Sequence, residues 1–586
     1  MTPLIILVPL LVAILAIAAD KRYDHAKYMA IAGALVSLAL FPMTDSGIGS
    51  VTWFSIGGAQ FTITTSVLPL NYLLLSLVLT IGVLILVYSA GFMNLPSEQR
   101  RYYIEMLAFE AAMLAFAMAG DFILLFIAWE FLSLTSYLLI GFWYDREKAI
   151  SAARKTITII LIGDIALLGA MVVFQNNFHS LQFSVILGNA GTGLTVLPML
   201  LLLVAVMAKS AQFPLQEWLP DAMEGPTPVS AFLHSTTMVK AGVFVTVLLF
   251  PLFADAGLLP VMLVIGTATV AVGIFGATRE RHVKRVLAYS TVQELGLMLV
   301  AVASNALLAA IYFFFAQSFY KALLFFSAGS AMKATDKEDL GEMSGIKRNR
   351  IVYITTLFGV LALAGFVPFD GFFANIGIDS AFSMNLVAYV FMSLVSIATS
   401  FYIFRWMFKQ SKKANARVAL NYDSVPKTMS YSMIVLAAAT LVASAAFFVF
   451  PSVFSGIGGS TINANVIDAG VETALVISGA YIGYAIYGQQ KKTRLSRIEP
   501  EYMFNQVYTA VAINAAYVHI TSFVEALAEG VAYVDSRLNS AMDWVGHGTI
   551  RLSESVRMFA SGSINAYVAL FAIGVLVIVL VVVATL

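Results

Sequence analysis

The sequence predicts an all-α integral membrane protein with about sixteen transmembrane helices, and its composition and its hydrophobic pattern both lead to this fold class. Of the 586 residues, 60% are hydrophobic and only 11% are charged. A soluble domain needs roughly 25% charged residues to cover its surface, so an ordinary soluble protein is excluded. Apolar stretches of about 20 residues recur along the chain, and each is long enough to cross ~30 Å of hydrocarbon.

The predicted spans follow one another from the first residues to the last. The opening stretch has no basic region before it, so we expect a first span rather than a cleaved signal peptide. To within a few residues, the spans lie near 2–19, 27–43, 67–90, 104–119, 122–143, 155–174, 195–213, 228–252, 257–278, 285–302, 306–331, 351–369, 384–408, 428–450, 468–488 and 564–586.

The loops between these spans alternate in charge. One set, which begins with 20–27, carries the lysines and arginines, whereas the opposite set contains neither residue type. This pattern obeys the positive-inside rule and places the basic loops in the cytoplasm, with the N-terminus and the C-terminus outside. We therefore expect a multi-pass protein of a prokaryotic cytoplasmic (inner) membrane.

A stretch of different character separates the last two predicted spans. Between about 503 and 562, apolar residues recur every three or four positions with charges on the other faces, as in an amphipathic helix. About 60 helical residues would extend about 90 Å. An ordinary interfacial helix is one interpretation, and a lateral brace along neighbouring membrane subunits on the cytoplasmic side is the other.

Two predicted spans are interrupted by proline and glycine. The seventh contains Lys209 to Pro214, and the twelfth contains Gly365 to Gly371. They lie five spans apart, as expected for two inverted five-helix repeats with broken helices at equivalent positions. The resulting division is 1–103 (N-terminal spans), 104–253 and 254–410 (two five-helix half-channels), 411–490 (additional spans), 491–563 (lateral helix) and 564–586 (anchoring span).

Several ionisable residues fall inside the spans, where each charge costs at least ~2.5–3.5 kcal/mol on insertion scales. They are Glu130 in the fifth span, Asp164 in the sixth, Lys209 in the seventh, His234 and Lys240 in the eighth, Glu294 in the tenth and Lys321 in the eleventh. Burial favours the neutral form of a lysine and a nearby carboxylate favours the charged form. Movement of Glu130 relative to Lys209 would therefore load or release a proton.

Static pairing between helices is the alternative interpretation of these charges. It is weakest for Lys209 with Glu130, stronger for Asp164, and equally good for Lys240 and Glu294. His234 alone on an apolar helix would ordinarily be a core histidine, and only its proximity to the other groups suggests a relay.

At these residues the sequence resembles the antiporter-like subunits of respiratory complex I (NADH-quinone oxidoreductase), and among them the L-type subunit. The matching strings are Lys209–Leu219, Asp221–Ser230, His234–Gly242, Ser136–Phe142, Lys284–Thr291 and Lys321–Phe325. The resemblance covers nearly the whole chain and includes the surface helix followed by a last span. It implies a fold with a fourteen-span core and a role in proton transport.

The resemblance also implies roles for single residues. Glu130 and Lys209 would form the key pair of the first half-channel, His234 would relay protons across the centre, and Lys321 would be the central lysine of the second half. Asp164 matches a family acid near the first pair.

The chain departs from the family in its second half. Phe313 and Gln317 stand where L-type members commonly carry histidines, and Asn375 replaces a lysine in the twelfth span. The route beyond Lys321 then uses water and Gln317, ends on Asp370 or Asp379, or is closed.

Because the chain has no cysteine, no thiolate is available for an iron–sulfur cluster, a structural zinc ion or a disulfide. The six histidines lack metal-ligand spacing, and no glycine-rich nucleotide loop or basic, aromatic-rich patch for nucleic acid is present. We therefore expect no cofactor and no metal on this chain, and flavin and iron–sulfur clusters on partner subunits.

Three functions remain open on the sequence. The first is a proton-translocating L-type subunit of a prokaryotic complex I-like, quinone-linked oxidoreductase, which contacts other membrane-arm subunits through the lateral helix. The second is the equivalent subunit of a membrane-bound hydrogenase or a multisubunit cation/proton antiporter. The third is a structural brace with an incomplete channel.

Overall fold

A computed structural model shows a chain that is helical over most of its length and forms two compact units, Met1–Phe504 and Asn505–Leu586. The described residues are 2–18, 25–56, 59–93, 96–192, 195–382, 386–412, 425–453, 466–488 and single residues between 529 and 575. In the second unit, the described residues near 529–547 and 571–575 are helical. Most of the predicted lateral helix and of the sixteenth span lies outside the described residues.

The helices of the first unit follow the hydrophobic stretches of the sequence. Within its described residues they are α1 (Thr2–Ala18), α2 (Ala26–Leu40), α3 (Pro69–Phe92), α4 (Pro96–Ala117), α5 (Phe122–Ile140), α6 (Glu147–Phe178), α7 (Phe183–Leu187), α8 (Val196–Lys209), α9 (Trp218–Asp221), α10 (Thr227–Ser235), α11 (Ala241–Leu248), α12 (Phe250–Asp255), α13 (Leu259–Arg279), α14 (Val283–Ala303), α15 (Leu307–Thr335), α16 (Arg350–Ala364), α17 (Asp370–Phe382), α18 (Leu386–Gln410), α19 (Lys427–Ala446), α20 (Phe450–Val453) and α21 (Val466–Gly483).

The described residues contain 11 helices that are long and apolar enough to cross a membrane, and three shorter apolar helices. The first fifteen predicted spans coincide with helices above, one helix for each span except the eighth, which coincides with α10 and α11 together. The chain is therefore a multi-span, helical membrane protein, as predicted, whereas the total of sixteen spans and the inverted repeat remain predictions.

Both predicted helix breaks are present. Helix α8 ends at Lys209, and the next helical turns begin only at Trp218. Helix α16 ends at Ala364, and α17 begins at Asp370. Gly365 stops α16 with a φ of +79°, a left-handed conformation that glycine adopts without steric cost. Each break brings backbone polar groups and charged side chains into the interior of the protein.

A third break lies in the predicted eighth span and was not anticipated. The span divides into α10 and α11, which are separated by Thr236, Thr237 and a 3₁₀ turn over Met238–Lys240. The Thr237 hydroxyl donates a hydrogen bond to the Phe232 carbonyl at 2.6 Å. A threonine side chain that bonds to the backbone in this way competes with regular helix formation.

The predicted outer loop at 44–66 contains a β-hairpin, which the all-α prediction missed. Strand β1 (Gly47–Ile56) pairs antiparallel with β2 (Ala59–Val67), with Gly47 opposite Val67 and Ile56 opposite Ala59. Within β2, apolar and hydroxylated residues alternate only from Phe61 to Thr64, so the period of two that indicates a strand is short here.

Helices α14 and α15 form the centre of the first unit. The apolar window of α14 is completely buried, and that of α15 is 89% buried. Helix α14 packs against α13 and α15, while α15 also contacts α10, α16 and α17. The predicted charges on these helices are therefore enclosed by protein rather than exposed to lipid.

Candidate functional site

Lys209 is fully buried at the end of α8 and contacts α5 and α6. Its Nζ donates to the Trp129 carbonyl at 2.9 Å and to the Ser133 hydroxyl at 2.5 Å. The ammonium group lies 4.8 Å from the centroid of the Trp129 ring, within the range of a cation–π interaction. Since Trp129 and Ser133 are four residues apart, one face of α5 supplies all three contacts.

Asp164 on α6 is the carboxylate of this cluster that faces Lys209. Its Oδ1 lies 4.0 Å from Lys209 Nζ. The carboxylate accepts hydrogen bonds from Trp129 Nε1 at 2.7 Å and from Ser133 Oγ at 3.1 Å. The same two residues therefore hold both the lysine and the acid, which are close but not in tight contact.

Glu130 is partly buried on α5, beside Trp129. It is near enough to interact electrostatically with Lys209 and Asp164. Among the described residues, however, the ion pair of Lys209 within 4.0 Å is with Asp164. The predicted proton-loading role of Glu130 stays a prediction, and direct pairing with Lys209 would require a movement from this geometry.

Lys240 is fully buried at the start of α11, and its surroundings repeat those of Lys209. Its Nζ donates to the Phe314 carbonyl and to the Ser318 hydroxyl, and it lies 4.6 Å from the centroid of the Phe314 ring. Phe314 and Ser318 are also four residues apart, on α15. Each lysine is thus held by an aromatic residue and by a serine four residues later on the same helix, an arrangement called here an aromatic–serine cradle.

Lys321 on α15 forms a tight, buried ion pair. Its Nζ lies 2.9 Å from Glu294 Oε2 and also donates to the Ser290 hydroxyl. Glu294 further accepts hydrogen bonds from Tyr320 and Gln317, each at 3.2 Å. Gln317 occupies one of the positions where the resemblance led us to look for histidine, and here it is a hydrogen-bond donor to the acid.

His234 is fully buried on α10 with its ring 5.7 Å from the Phe325 ring centroid. Neither ring nitrogen has a hydrogen-bond partner among the described residues. The imidazole interacts electrostatically with Lys284 and Lys321, so the structure brings it between the start of α14 and the middle of α15. Such a buried imidazole needs a water molecule or a moving side chain to complete its hydrogen bonds.

Asp370 begins α17 at the second break and is fully buried. Its Oδ1 accepts a hydrogen bond from the Gly371 amide at 3.0 Å, whereas Oδ2 has no partner among the described residues. Asn375 donates to Glu472 at 2.9 Å. Glu472 was not identified from the sequence as a site residue, because it lies on the fifteenth span, outside the two predicted five-helix repeats.

A polar cavity of about 920 Å³ opens among the loops that were predicted to be cytoplasmic. In it, Asp221 pairs with Lys155 at 2.7 Å and with Arg285 at 2.9 Å, and His282 lies 3.2 Å from Glu338. The hydrogen bond from His282 lowers the pKa of Glu338 from 4.5 to about 2. The cavity lining includes charged residues of both predicted half-channels, such as Asp221 of the first and Arg285 of the second.

The described residues include no group of three or more histidine, cysteine, aspartate or glutamate side chains that could hold a metal ion. Proton transfer between carboxylate, lysine, imidazole and water is the chemistry that the observed groups can perform.

Two family profiles match the chain. The profile described as NADH:quinone oxidoreductase/Mrp antiporter matches residues 119–401, and that described as NADH-ubiquinone oxidoreductase (complex I), chain 5 N-terminus matches residues 53–103. All of the lysines described above lie within the first match.

Several curated proteins are similar in sequence. NAD(P)H-quinone oxidoreductase subunit 5 from the Paulinella chromatophora chromatophore is 34% identical over 61% of this chain and 57% of its own length. The chloroplastic subunit 5 of Mesostigma viride is 29% identical over 85% and 83%. F(420)H(2) dehydrogenase subunit L of Methanosarcina mazei is 34% identical over 68% and 64%. The chain thus matches between 53% and 60% of the length of several subunit 5 relatives.

A solved structure of the Mrp complex from Dietzia sp. has the same fold, with a TM-score of 0.70 at 21% identity, over 88% of this chain and 60% of that chain. Together with the two adjacent profile matches and the subunit 5 relatives, this similarity confirms the resemblance found in the sequence. Over residues 53–103 and 119–401 the chain is similar to antiporter-like, complex I-type membrane subunits.

Proposed function

We propose that this chain is the proton-translocating, L-type subunit of a prokaryotic complex I-like, quinone-linked oxidoreductase. In this role it couples redox energy released on partner subunits to proton transport through its own helices. The subunit 5 and subunit L relatives support the parent reaction. The observation that carries the proposal is the series of buried lysines, each in contact with hydroxyl groups or carboxylates.

The series begins with Lys209. Its contacts with Trp129 and Ser133 are made to a carbonyl and a hydroxyl, neither of which belongs to an acid. A change in the separation from Asp164, or an approach of Glu130, would therefore alter the charge of the lysine without removing its support. A nearby carboxylate favours the charged form, and withdrawal of that carboxylate favours release of the proton.

Lys240 and His234 lie between Lys209 and the Lys321–Glu294 pair in this proposal. Lys240 interacts electrostatically with Glu294 and Lys321, and His234 with Lys284 and Lys321. Water would connect these groups. The helices are interrupted after Lys209, after Ala364 and at Thr236–Thr237, and each interruption exposes backbone groups that need hydrogen-bond partners. The cavity lined by His282 and Glu338 is the proposed entrance.

Substitution of Lys209 by Ala tests the proposal. In vesicles that contain the purified complex, we expect Lys209→Ala to abolish the redox-linked proton translocation that depends on this chain, because no other group replaces its ammonium. Assembly of the complex should be retained. Lys337→Ala is the matched control, since Lys337 is an exposed loop lysine paired with Glu342. Unchanged proton translocation in Lys209→Ala would contradict the proposal.

A second candidate is the equivalent subunit of a multisubunit cation/proton antiporter or of a membrane-bound hydrogenase. The profile that names Mrp antiporters and the shared fold with the Mrp complex favour the antiporter. Mass spectrometry of the chains that co-purify in mild detergent distinguishes these assemblies. Flavin and iron–sulfur subunits would indicate a dehydrogenase, a nickel subunit a hydrogenase, and neither of them an antiporter.

A structural brace with an incomplete channel is the candidate of another class. The replacements at Phe313, Gln317 and Asn375 favour it, because none of these side chains titrates in the usual pH range. Full proton translocation with both Glu130 and Lys209 neutralised would establish this candidate instead of the first.

A further inference from the structure

A buried carboxylate on α21 lies beside the second helix break. Glu472 is 1% exposed. Its Oε1 accepts hydrogen bonds from Asn375 Nδ2 at 2.9 Å and from Ser396 Oγ at 3.1 Å. Its Oε2 has no hydrogen-bond partner among the described residues. One oxygen of this acid is therefore held by neutral donors on α17 and α18, and the other lacks a donor.

Asp379 lies one turn beyond Asn375 on α17 and faces the same acid. Its carboxyl group is within hydrogen-bonding reach of Glu472, and its Oδ1 likewise has no donor among the described residues. A buried acceptor without a donor costs about 1–3 kcal/mol. Two neighbouring carboxylates also repel each other strongly when both are ionised. A single proton shared by Asp379 and Glu472 removes the repulsion and gives both oxygens a partner.

Other charged groups near this pair do not neutralise it. Asp468, one turn earlier on α21, and Tyr389 on α18 are the further titratable groups that interact with the pair. Both are neutral or negative. Among the described residues, no lysine or arginine forms an ion pair within 4.0 Å with Asp379 or Glu472.

Helix α17 and the break before it connect the pair to the other buried acids of the second half. Asp370 and Asn375 are on the same helix, α17. The position of a Cβ atom at Gly371 is 3.7 Å from the Tyr320 ring, and the Tyr320 hydroxyl donates to Glu294. At Gly365, a Cβ atom would lie 3.4 Å from Glu472 Oε1. The broken helix thus has Glu294 with Tyr320 near its first turn and Glu472 with Asp379 further along.

We propose that the Asp379–Glu472 carboxyl pair is a proton-binding site at the end of the second half-channel, which receives a proton by way of Asp370 and releases it beyond the end of α17. Asn375 cannot hold the proton, since an amide does not titrate in this range, but it positions Glu472 by donating to Oε1. This inference rests on the proposed proton-translocating function. It assigns to Glu472 a role that the sequence alone did not indicate.

Substitutions that preserve shape test this site in vesicles containing the purified complex. Glu472→Gln retains an oxygen for Asn375 and Ser396 but removes the ionisable group, and Asp379→Asn does the same for its partner. We expect each to lower the proton transport that depends on this chain at least tenfold. Ser478→Ala is the matched control, because Ser478 is an exposed residue of the same helix α21 whose hydroxyl donates to the Ala474 carbonyl of that helix; its transport should remain within about twofold of the unsubstituted chain.

Infrared difference spectroscopy gives a second measurement that does not depend on transport. A shared proton predicts a protonated-carboxyl stretching band that disappears in both Glu472→Gln and Asp379→Asn, and that shifts but persists in Ser396→Ala, which removes one hydrogen bond to Glu472 and leaves the acid. If Glu472→Gln fails to assemble, Asp379→Asn carries the same two measurements, since Asp379 is less deeply buried.

The outcomes separate this inference from the proposed function. Normal transport in Glu472→Gln and Asp379→Asn, with transport lost in Lys209→Ala, would overturn the proton-binding pair and leave the proposed function intact. Transport retained in Lys209→Ala would remove the proposed function itself. Transport that follows added sodium rather than protons, or the same carboxyl band in the unsubstituted chain and in both acid variants, would also overturn the pair.

Discussion

The two buried lysine–carboxylate pairs differ in how tightly they are closed. In the first half, Lys209 Nζ and Asp164 Oδ1 are 4.0 Å apart, and two neutral groups of α5 contact the lysine. In the second half, Lys321 Nζ and Glu294 Oε2 are 2.9 Å apart. Both pairs are almost completely buried, so the difference in separation, rather than in solvent exposure, sets their electrostatic interaction.

This difference indicates that Lys209 and Lys321 would release a proton in different ways. Lys209 is held chiefly by Trp129 and Ser133, so its charge can change while its position is retained. Lys321 is held chiefly by Glu294, which is itself bonded to Tyr320 and Gln317. A proton that leaves Lys321 therefore has an acceptor in direct contact, whereas one that leaves Lys209 needs a movement of Asp164 or Glu130.

Removal of the carboxylate from each pair should give the largest change in the free energy of unfolding, and it tests whether the two pairs differ in strength. We expect Glu294→Gln to destabilise the protein by about 3–5 kcal/mol, because it leaves a buried lysine without its closest charge. Asp164→Asn should cost less, since Lys209 keeps its contacts with α5 and the amide still accepts from Trp129. Thermal unfolding of the two variants in the same detergent measures the difference.

The control for this prediction is Glu342→Gln, because Glu342 belongs to an exposed ion pair with Lys337 and such pairs contribute about 0–1 kcal/mol. Equal destabilisation by Glu294→Gln and Asp164→Asn would contradict the distinction between a tight and a loose pair.

The break next to Lys209 could be predicted from the sequence, whereas the distances from Lys209 to the two nearby carboxylates could not. Lys209 is followed by Pro214, and proline cannot continue a helix. Glu130 is the expected partner if the fifth and seventh spans are adjacent, and the resemblance singles out the same carboxylate; this pairing stays a prediction. The geometry depends on the rotation of α5 and α6 about their axes, which brings Trp129 and Ser133 to Asp164. A helical apolar stretch without a clear polar face does not reveal that rotation.

Two further features, the contact of Glu472 with Asn375 and the break at Thr236–Thr237, could not be predicted from the sequence either. Glu472 contacts Asn375, which is 97 residues earlier in the chain, and no local pattern signals a contact over that distance. At the break at Thr236–Thr237, the Thr237 hydroxyl bonds to the Phe232 carbonyl. Paired threonines are a weaker signal than proline, since threonine also occurs within regular helices.

Substitution of the serine in each aromatic–serine cradle should have a smaller effect on stability and on proton transport than loss of a carboxylate. Ser133 contacts both Lys209 and Asp164, whereas Ser318 contacts Lys240 and a carbonyl of its own helix. We expect Ser133→Ala to cost about 2 kcal/mol and Ser318→Ala about 1 kcal/mol, because the first removes one more hydrogen bond between helices. Proton transport should fall several-fold in Ser133→Ala and less in Ser318→Ala.

Thermal unfolding and vesicle proton uptake, measured on both serine variants, check this order. Threonine at each position is the matched control, since it keeps the hydroxyl group. A larger effect at Ser318 than at Ser133 would mean that Lys240, rather than Lys209, depends more strongly on its cradle.

The hydrogen bond between His282 and Glu338 is the exposed counterpart of the two buried pairs and should show the smallest effect. The hydrogen bond from His282 lowers the pKa of Glu338 from 4.5 to about 2. A carboxyl group whose pKa is lowered on folding stabilises the protein above its unfolded pKa, and this contribution is lost as the pH falls through the folded pKa. The Glu338 contribution should therefore be complete above pH 4.5 and disappear as the pH falls towards about 2.

Glu338→Gln should flatten this part of the curve of melting temperature against pH. Because the Glu338 side chain is 59% exposed, solvent screening should keep the effect small and make it decrease further with added salt. A salt-independent difference between Glu338→Gln and the unsubstituted chain would show that this pair behaves like the buried ones.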